Sequence, residues 1–180
     1  MMPIGPLMIE HRLIERMIRM LASEAQRLAQ STEVDPLFVD AAVDFIRTYA
    51  DRTHHGKEEE IFFRELDAKA LSDEDRAVMD ELVAEHVIAR QTTRALVEAK
   101  ERYLASADRS TADVAACMQK LAGLYPAHIT KEDKVFFPAA MRYFTREEQD
   151  AMLEEMWAFD RAMIHEKYRS VVEQFERGLG

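Results

Sequence analysis

A ten-residue pattern occurs twice in this chain. His54-His55-Gly56-Lys57-Glu58-Glu59-Glu60-Ile61-Phe62-Phe63 returns as His128-Ile129-Thr130-Lys131-Glu132-Asp133-Lys134-Val135-Phe136-Phe137, and both copies read H-x-x-K-E-[ED]-x-[IV]-F-F. On a helix, residues four apart share a face, so each copy directs an imidazole and a carboxylate at one place. Two such helices facing each other can hold a pair of metal ions. A second repeat accompanies the first: Glu10-His11 leads into Arg19 and Leu21, and Glu85-His86 leads into Arg94 and Leu96, at the same offsets. His11 and His86 lie 75 residues apart, His54 and His128 lie 74 apart. The chain therefore reads as two related halves. Two repeats are too few for a solenoid, so the expectation is one bundle with pseudo-twofold symmetry.

The rest of the sequence agrees with helices. Only 5 Gly and 5 Pro occur in 180 residues, which argues against an all-β fold. Breakers divide the apolar periodicity into five segments. A first helix is predicted from about Pro6 to Gln30, carrying Ile9, Leu13, Met17 and Leu21. After a link at Ser31-Thr32-Glu33-Val34-Asp35-Pro36, with Asp35 as N-cap, a second runs from Pro36 to about Ala70. Gly56 inside it implies a close backbone approach or a bend. A third starts at Ser72-Asp73-Glu74-Asp75 and ends near Ala105. The link Asp108-Arg109-Ser110-Thr111 follows, with Ser110 and Asp113 spaced as a capping box. The fourth helix reaches about Met141, kinked by Pro126. Thr145 and Glu148 cap a fifth, to about Arg177. The predicted fold is all-α: an up-down-up-down four-helix bundle over about residues 6–142, plus an additional C-terminal helix over about 145–177, in a single domain spanning 1–180.

Several function classes are set aside by composition. A formal charge of −10 argues against nucleic-acid binding, which needs a basic footprint. Cys117 is the sole cysteine, so no intrachain disulfide or thiolate cluster forms. The start has no basic segment leading into an apolar run. No stretch approaches the roughly 18–20 apolar residues of a membrane span. A cytoplasmic location without a membrane partner is the expectation. The 11 methionines, scattered along the chain, read as fillers of core gaps.

In such a bundle His11, His54 with Glu58, His86, and His128 with Glu132 project inward from four helices. Imidazole suits iron, copper, zinc and nickel, and carboxylates bridge cations. Four His and two Glu provide two imidazoles per ion with both carboxylates shared, a set that suits paired iron. A closed zinc site needs only four ligands. Ferritin-like bundles differ, using ExxH and more carboxylates.

At these residues the sequence resembles the hemerythrin-like (HHE cation-binding) family, over roughly residues 7–142 and including the H-H-x-K-E-E and H-I-x-K-E-D contexts. The resemblance implies a four-helix bundle around a non-haem di-iron centre, two iron ions joined by an oxo or hydroxo bridge. It makes His11, His54, Glu58, His86, His128 and Glu132 the ligands, with both Glu bridging. The sequence departs from the oxygen-carrying members, which have HxxxH on the third helix where His86 is here followed by Arg90, and HxxxxD where His128-xxx-Glu132 stands. One imidazole of the oxygen-carrier set is missing. His165 on the fifth helix is a candidate to supply it.

The repeat aligns His54 with His128 and His55 with Ile129, and His55 lies about 100° around an α-helix from His54. The alternative makes His55, with Glu59, the ligand pair of the first copy; the repeat instead assigns His55 to the flank, where Lys57, Lys131, Glu59 and Asp133 are also placed. Tyr49, Tyr125 and Arg90 are candidates for the surroundings of the ligands. Phe62, Phe63, Phe136 and Phe137 are expected to close the bundle around the site. The expected function is to bind or sense a small ligand (O2, NO or peroxide) or to handle iron. The alternatives are a di-iron enzyme degrading peroxide or nitric oxide, and an iron donor for iron–sulfur cluster repair. Relatives in repair commonly carry an extra N-terminal domain with a cysteine motif, which this sequence lacks. A redox or iron-exchange partner is not specified by the sequence.

Overall fold

The computed structural model describes residues 2–30, 33–106 and 110–178, and after Met163 it describes only the side chain of Lys167. The expected link residues Ser31, Thr32, Asp108 and Arg109 lie outside the described residues. Helix α1 spans Ile4–Leu28, α2 spans 36–67, α3 spans Asp73–Ala105, α4 spans 112–140 and runs into a 3₁₀ turn at Met141–Tyr143, and α5 spans Arg146–Gly178. No strand occurs among the described residues.

Local chemistry sets most of these boundaries. Asp35 accepts from the amides of Leu37 and Phe38 at 3.0 and 3.2 Å, with Pro36 at the first helical position. Ser72 Oγ accepts from the Asp75 amide at 3.1 Å. Thr145 and Glu148 form the reciprocal box: Glu148 N donates to Thr145 Oγ1 at 3.3 Å and Thr145 N donates to Glu148 Oε2 at 2.9 Å. The box expected at Ser110 and Asp113 does not form. Thr111 takes the cap position without a side-chain bond, and Arg102 binds the Asp113 carboxylate at 3.0 Å.

The helices alternate in direction. The Thr111 hydroxyl donates to the Leu28 carbonyl at 3.4 Å, and the Val34 amide donates to the Tyr103 hydroxyl at 3.1 Å. One end of the bundle thus collects the last turns of α1 and α3 and the first turns of α2 and α4. At the other end Leu7, Leu66, Leu82 and Phe137 are buried together. Helix α4 packs along α1 and α3, and α2 along α1 and α3. The core is divided. Ile14, Leu21, Val39, Leu96, Met118 and Leu121 belong to one apolar cluster, and Leu7, Phe62, Leu66, Leu82, Phe136 and Phe137 to another. Between them in sequence, on every one of the four helices, lies the polar layer of histidines and glutamates.

Two helices change their winding at that layer. Ile46–His55 and Glu58–Phe63 in α2, and Glu132–Phe136 in α4, are π-helical, with i→i+5 bonding in place of i→i+4. The Thr53 hydroxyl follows the same spacing, donating to the Thr48 carbonyl at 2.8 Å. Helix α4 continues through Pro126, and its winding changes at Glu132.

Helix α5 runs antiparallel to α2 along its outer flank. Glu155 meets Arg64 at 2.8 Å, Asp160 meets Lys57 at 2.6 Å, and Lys167 meets Asp44 at 2.8 Å. Met152 and Met156 complete the second apolar cluster. At Gly56 the two helices approach closely: a Cβ there would lie 2.9 Å from Phe159 Cζ. Close approach accounts for the glycine despite its cost of about 1 kcal/mol in a helix. Gly56→Leu should therefore force Phe159 outward and destabilise the chain by about 1–3 kcal/mol. Chemical denaturation combined with limited proteolysis of α5 checks this; wild-type stability and protection would contradict the close packing.

Candidate metal centre

Each of the four inward histidines is gripped from behind by an acid of another helix. His11 Nδ1 lies 2.8 Å from Asp133, His54 Nδ1 2.9 Å from Glu10, His86 Nδ1 2.7 Å from Glu59, and His128 Nδ1 2.8 Å from Glu85. A carboxylate only accepts, so each Nδ1 carries a proton, and Nε2 is the atom turned to the bundle axis, its lone pair free for a cation whenever the ring is neutral. The pattern is twofold: the acid before His11 holds His54, and the acid before His86 holds His128. The acid after Glu58 holds His86, and the acid after Glu132 holds His11. These acids are held in turn by cations. Lys57 binds Glu10, Lys131 binds Glu85 at 2.7 Å, Arg90 binds Glu59 at 2.7 Å, and Arg12 binds Asp133.

Glu58 and Glu132 sit at the centre, both 0% exposed. Glu58 Oε1 is 3.4 Å from His54 Nε2 and its Oε2 is 3.4 Å from His86 Nε2. Glu132 Oε2 is 3.2 Å from both His11 Nε2 and His128 Nε2. None of the four carboxylate oxygens has a hydrogen-bond donor among the described residues, nor does His11 Nε2 find a partner. Buried polar atoms without partners are costly, and here they converge. Donors about 2.1 Å from one ion stand roughly 3 Å apart when adjacent, close to these spacings. The site fits metal ions. The ligating atoms of His11, His54, Glu58 and Glu132 form one group within 4.8 Å, and those of His55, Glu58, His86 and His128 form another.

Without metal, the charges are distributed by burial and by one another. Burial and then repulsion from Glu132 raise Glu58 well above the carboxylate range. Burial opposes ionisation of Glu132 too, but His128 and His11 outweigh it and hold it low. Of the two, Glu58 is the one that favours a proton. Burial disfavours charge on His128, yet Glu132 and Glu85 push it up to about 9. His11 is raised in the same way, with Asp133 and Glu132 overcoming burial. Burial dominates at His54, lowered to about 4, and lowers His86 as well.

A family model described as the hemerythrin HHE cation binding domain matches residues 2–140. The chain belongs to that family. No curated protein and no solved structure matches it. The family match ends before α5, which begins at Arg146.

Relative to expectation, this hemerythrin-like chain brings all six predicted residues together and corrects the flank. His55 is buried and joins the second group, stacked on His86 at 3.8 Å. The reason is the π-winding that ends at His55: more residues per turn mean less than the α-helical 100° or so between neighbours. His54 and His55 thus both face inward. Lys57 is not solvated but 0% exposed, and Glu59, Asp133 and Lys131 belong to the network behind the histidines. The sequence signal for them was present, since Glu10-His11 and Glu85-His86 repeat, as do Glu58-Glu59 and Glu132-Asp133. Arg90 bridges Asp51 and Glu59, each at 2.7 Å. Tyr125 is buried near His55, whereas Tyr49 stacks on Phe45 and lines a groove with Glu10 and Asp160. The four phenylalanines are buried, with Phe137 stacked on His11 and Phe63 on His86. The His165 side chain lies outside the described residues.

Asp133→Asn keeps the shape of the acid behind His11 but no longer fixes its tautomer. It should lower affinity for a divalent cation by roughly 10–100-fold with helicity retained. Competition against a chelating dye measures this, and an affinity within a factor of about two of wild type would remove Asp133 from the centre.

Proposed function

We propose that the chain holds two iron ions in its polar layer and uses them to bind or sense a small ligand such as O2, NO or peroxide. The reading is carried by Glu58, which has no hydrogen-bond donor among the described residues and presents one oxygen to His54 and the other to His86. His11 and His54 would hold one ion, and His55, His86 and His128 the other, with Glu58 and Glu132 shared. Imidazole and carboxylate donors in this number suit iron better than a closed four-ligand zinc site. When bound, the iron pair supplies reversible one-electron chemistry with such ligands.

The chain's own residues do the rest. His55 restores a fifth imidazole without the α3 position taken by Arg90. The Nδ1 contacts hold the five-His, two-Glu set rigid, and the phenylalanines wall off one side from water. Seven protein donors leave two six-coordinate ions short of ligands even with both carboxylates shared, so positions remain for an external molecule. A catalytic reading, turnover of peroxide or nitric oxide, is favoured by one observation: the Tyr125 hydroxyl is buried beside His55 with no partner among the described residues.

Metal analysis of purified protein, followed by anaerobic reduction and exposure to O2, NO and peroxide, tests the proposal. Two irons per chain and a stable adduct support binding. Two irons that consume peroxide or nitric oxide catalytically support the enzyme. No metal after anaerobic iron reconstitution overturns both.

Glu58→Ala and His128→Ala should each abolish two-iron loading while preserving helicity, and His55→Ala should lower iron to nearer one per chain. Retention of two irons in Glu58→Ala would refute the shared carboxylate. Loading should also release protons. His128, pushed up to about 9, holds a proton at neutral pH that an arriving cation displaces, and the upward shifts of Glu58 and His11 act in the same direction. Affinity should then climb with pH towards the His128 value of about 9. Calorimetry in two buffers of different ionisation enthalpy reads the release directly, and equal heats in both would contradict it.

A further inference from the structure

A cavity of about 320 Å³ opens between α2 and α3 beside the second ligand group. Its wall includes Arg47, Arg52, Arg90 and Arg94, with His55 and Tyr125 among the lining residues. Four guanidiniums on one small cavity stand out in a chain of formal charge −10. One acid, Asp51, shares the wall, and Arg90 engages it at 2.7 Å. Arg47 and Arg94 are exposed and have no ion-pair partner among the described residues. A second, independent feature points to a ligand. Tyr125 is 2% exposed, yet its hydroxyl has no hydrogen-bond partner among the described residues. Burial raises the ionisation of this phenol, so it remains a donor at neutral pH. Unmatched cations and an unmatched O–H donor around one cavity are complementary to an acceptor-only, negatively charged molecule. The volume lies at the lower limit for small-molecule sites.

We propose that this cavity is a binding site for a small monovalent oxyanion, held by Arg47 and Arg94 and by the Tyr125 hydroxyl, with His55 common to its wall and to the second ligand group. None of the described residues of α5 lines the cavity. External anions therefore approach the layer from the His55 side.

Nitrite serves as the probe, titrated calorimetrically into the protein as purified, with metal content measured on every sample. Wild type should show saturable binding that weakens as salt rises. Arg47→Gln/Arg94→Gln should weaken it by roughly tenfold or more, and Tyr125→Phe by several-fold. Arg16→Gln/Arg19→Gln, the same change in net charge at a different groove, should leave it unchanged. The absence of saturable binding, equal binding in the Arg47/Arg94 variant, or equal loss in both double variants would overturn the proposal. The two readings fail separately: protein without iron that still binds nitrite through Arg47 and Arg94 rejects the di-iron centre and keeps the anion site. Protein with two irons and no arginine dependence does the reverse.

Discussion

Two glutamates buried with no hydrogen-bond donor to their oxygens among the described residues impose the condition that the remaining structure meets. Taking a carboxylate out of water costs several kcal/mol unless positive charge stands next to it. Glu58 and Glu132 lie at the centre of the bundle, so that charge has to come from within. The protein answers with alternating layers. Imidazoles surround the glutamates, Glu10, Glu59, Glu85 and Asp133 stand behind the imidazoles, and Lys57, Lys131, Arg90 and Arg12 stand behind those acids. Each layer satisfies the one inside it. The innermost oxygens, with the histidine Nε2 atoms beside them, remain for a cation.

The six central residues were legible because they repeat at helical spacing and because histidine is uncommon enough for its position to carry information. The acids behind them were equally regular yet went unread. A glutamate or lysine beside a motif is ordinarily solvated, and residue type outweighed the repeat. Lys57 shows the limit of that habit, since its burial depends on Asp160, a hundred residues on, arriving with α5. His55 was missed for a different reason. Its angular position was judged on α-helical geometry, and the change to π-winding leaves no mark in composition or capping. The helical class and most caps, by contrast, follow from local chemistry at Asp35, Ser72 and Thr145.

The twofold pattern is broken at His55, which aligns with Ile129, and again at Lys57, and the second break differentiates the surroundings of the two halves of the site. Lys57 and Lys131 occupy equivalent positions, but α5 covers the first completely and leaves the second 22% exposed. On the covered side, Glu10 and His54 are tied through Lys57 to Asp160. On the other, His86 and His128 sit near a cavity with arginines at its wall. Equivalent ligands in unequal surroundings hold their protons and ions with unequal strength.

The divided core bears on how long such a molecule lasts. A bundle with one continuous apolar seam opens as a unit, because every layer leans on the next. Here the seam is interrupted by a storey of ionisable groups, and hydrophobic contact does not carry stability across it. The helices themselves and the ion pairs behind the histidines join the two ends, and whatever occupies that storey adds to them. Cations bound there tie all four helices at one level, while protons in their place tie them far less firmly. Local opening of either end then becomes easier when metal is scarce, and opened segments are what proteases cut. The abundance of the chain would in this way follow the supply of its metal, with no separate receptor to report it.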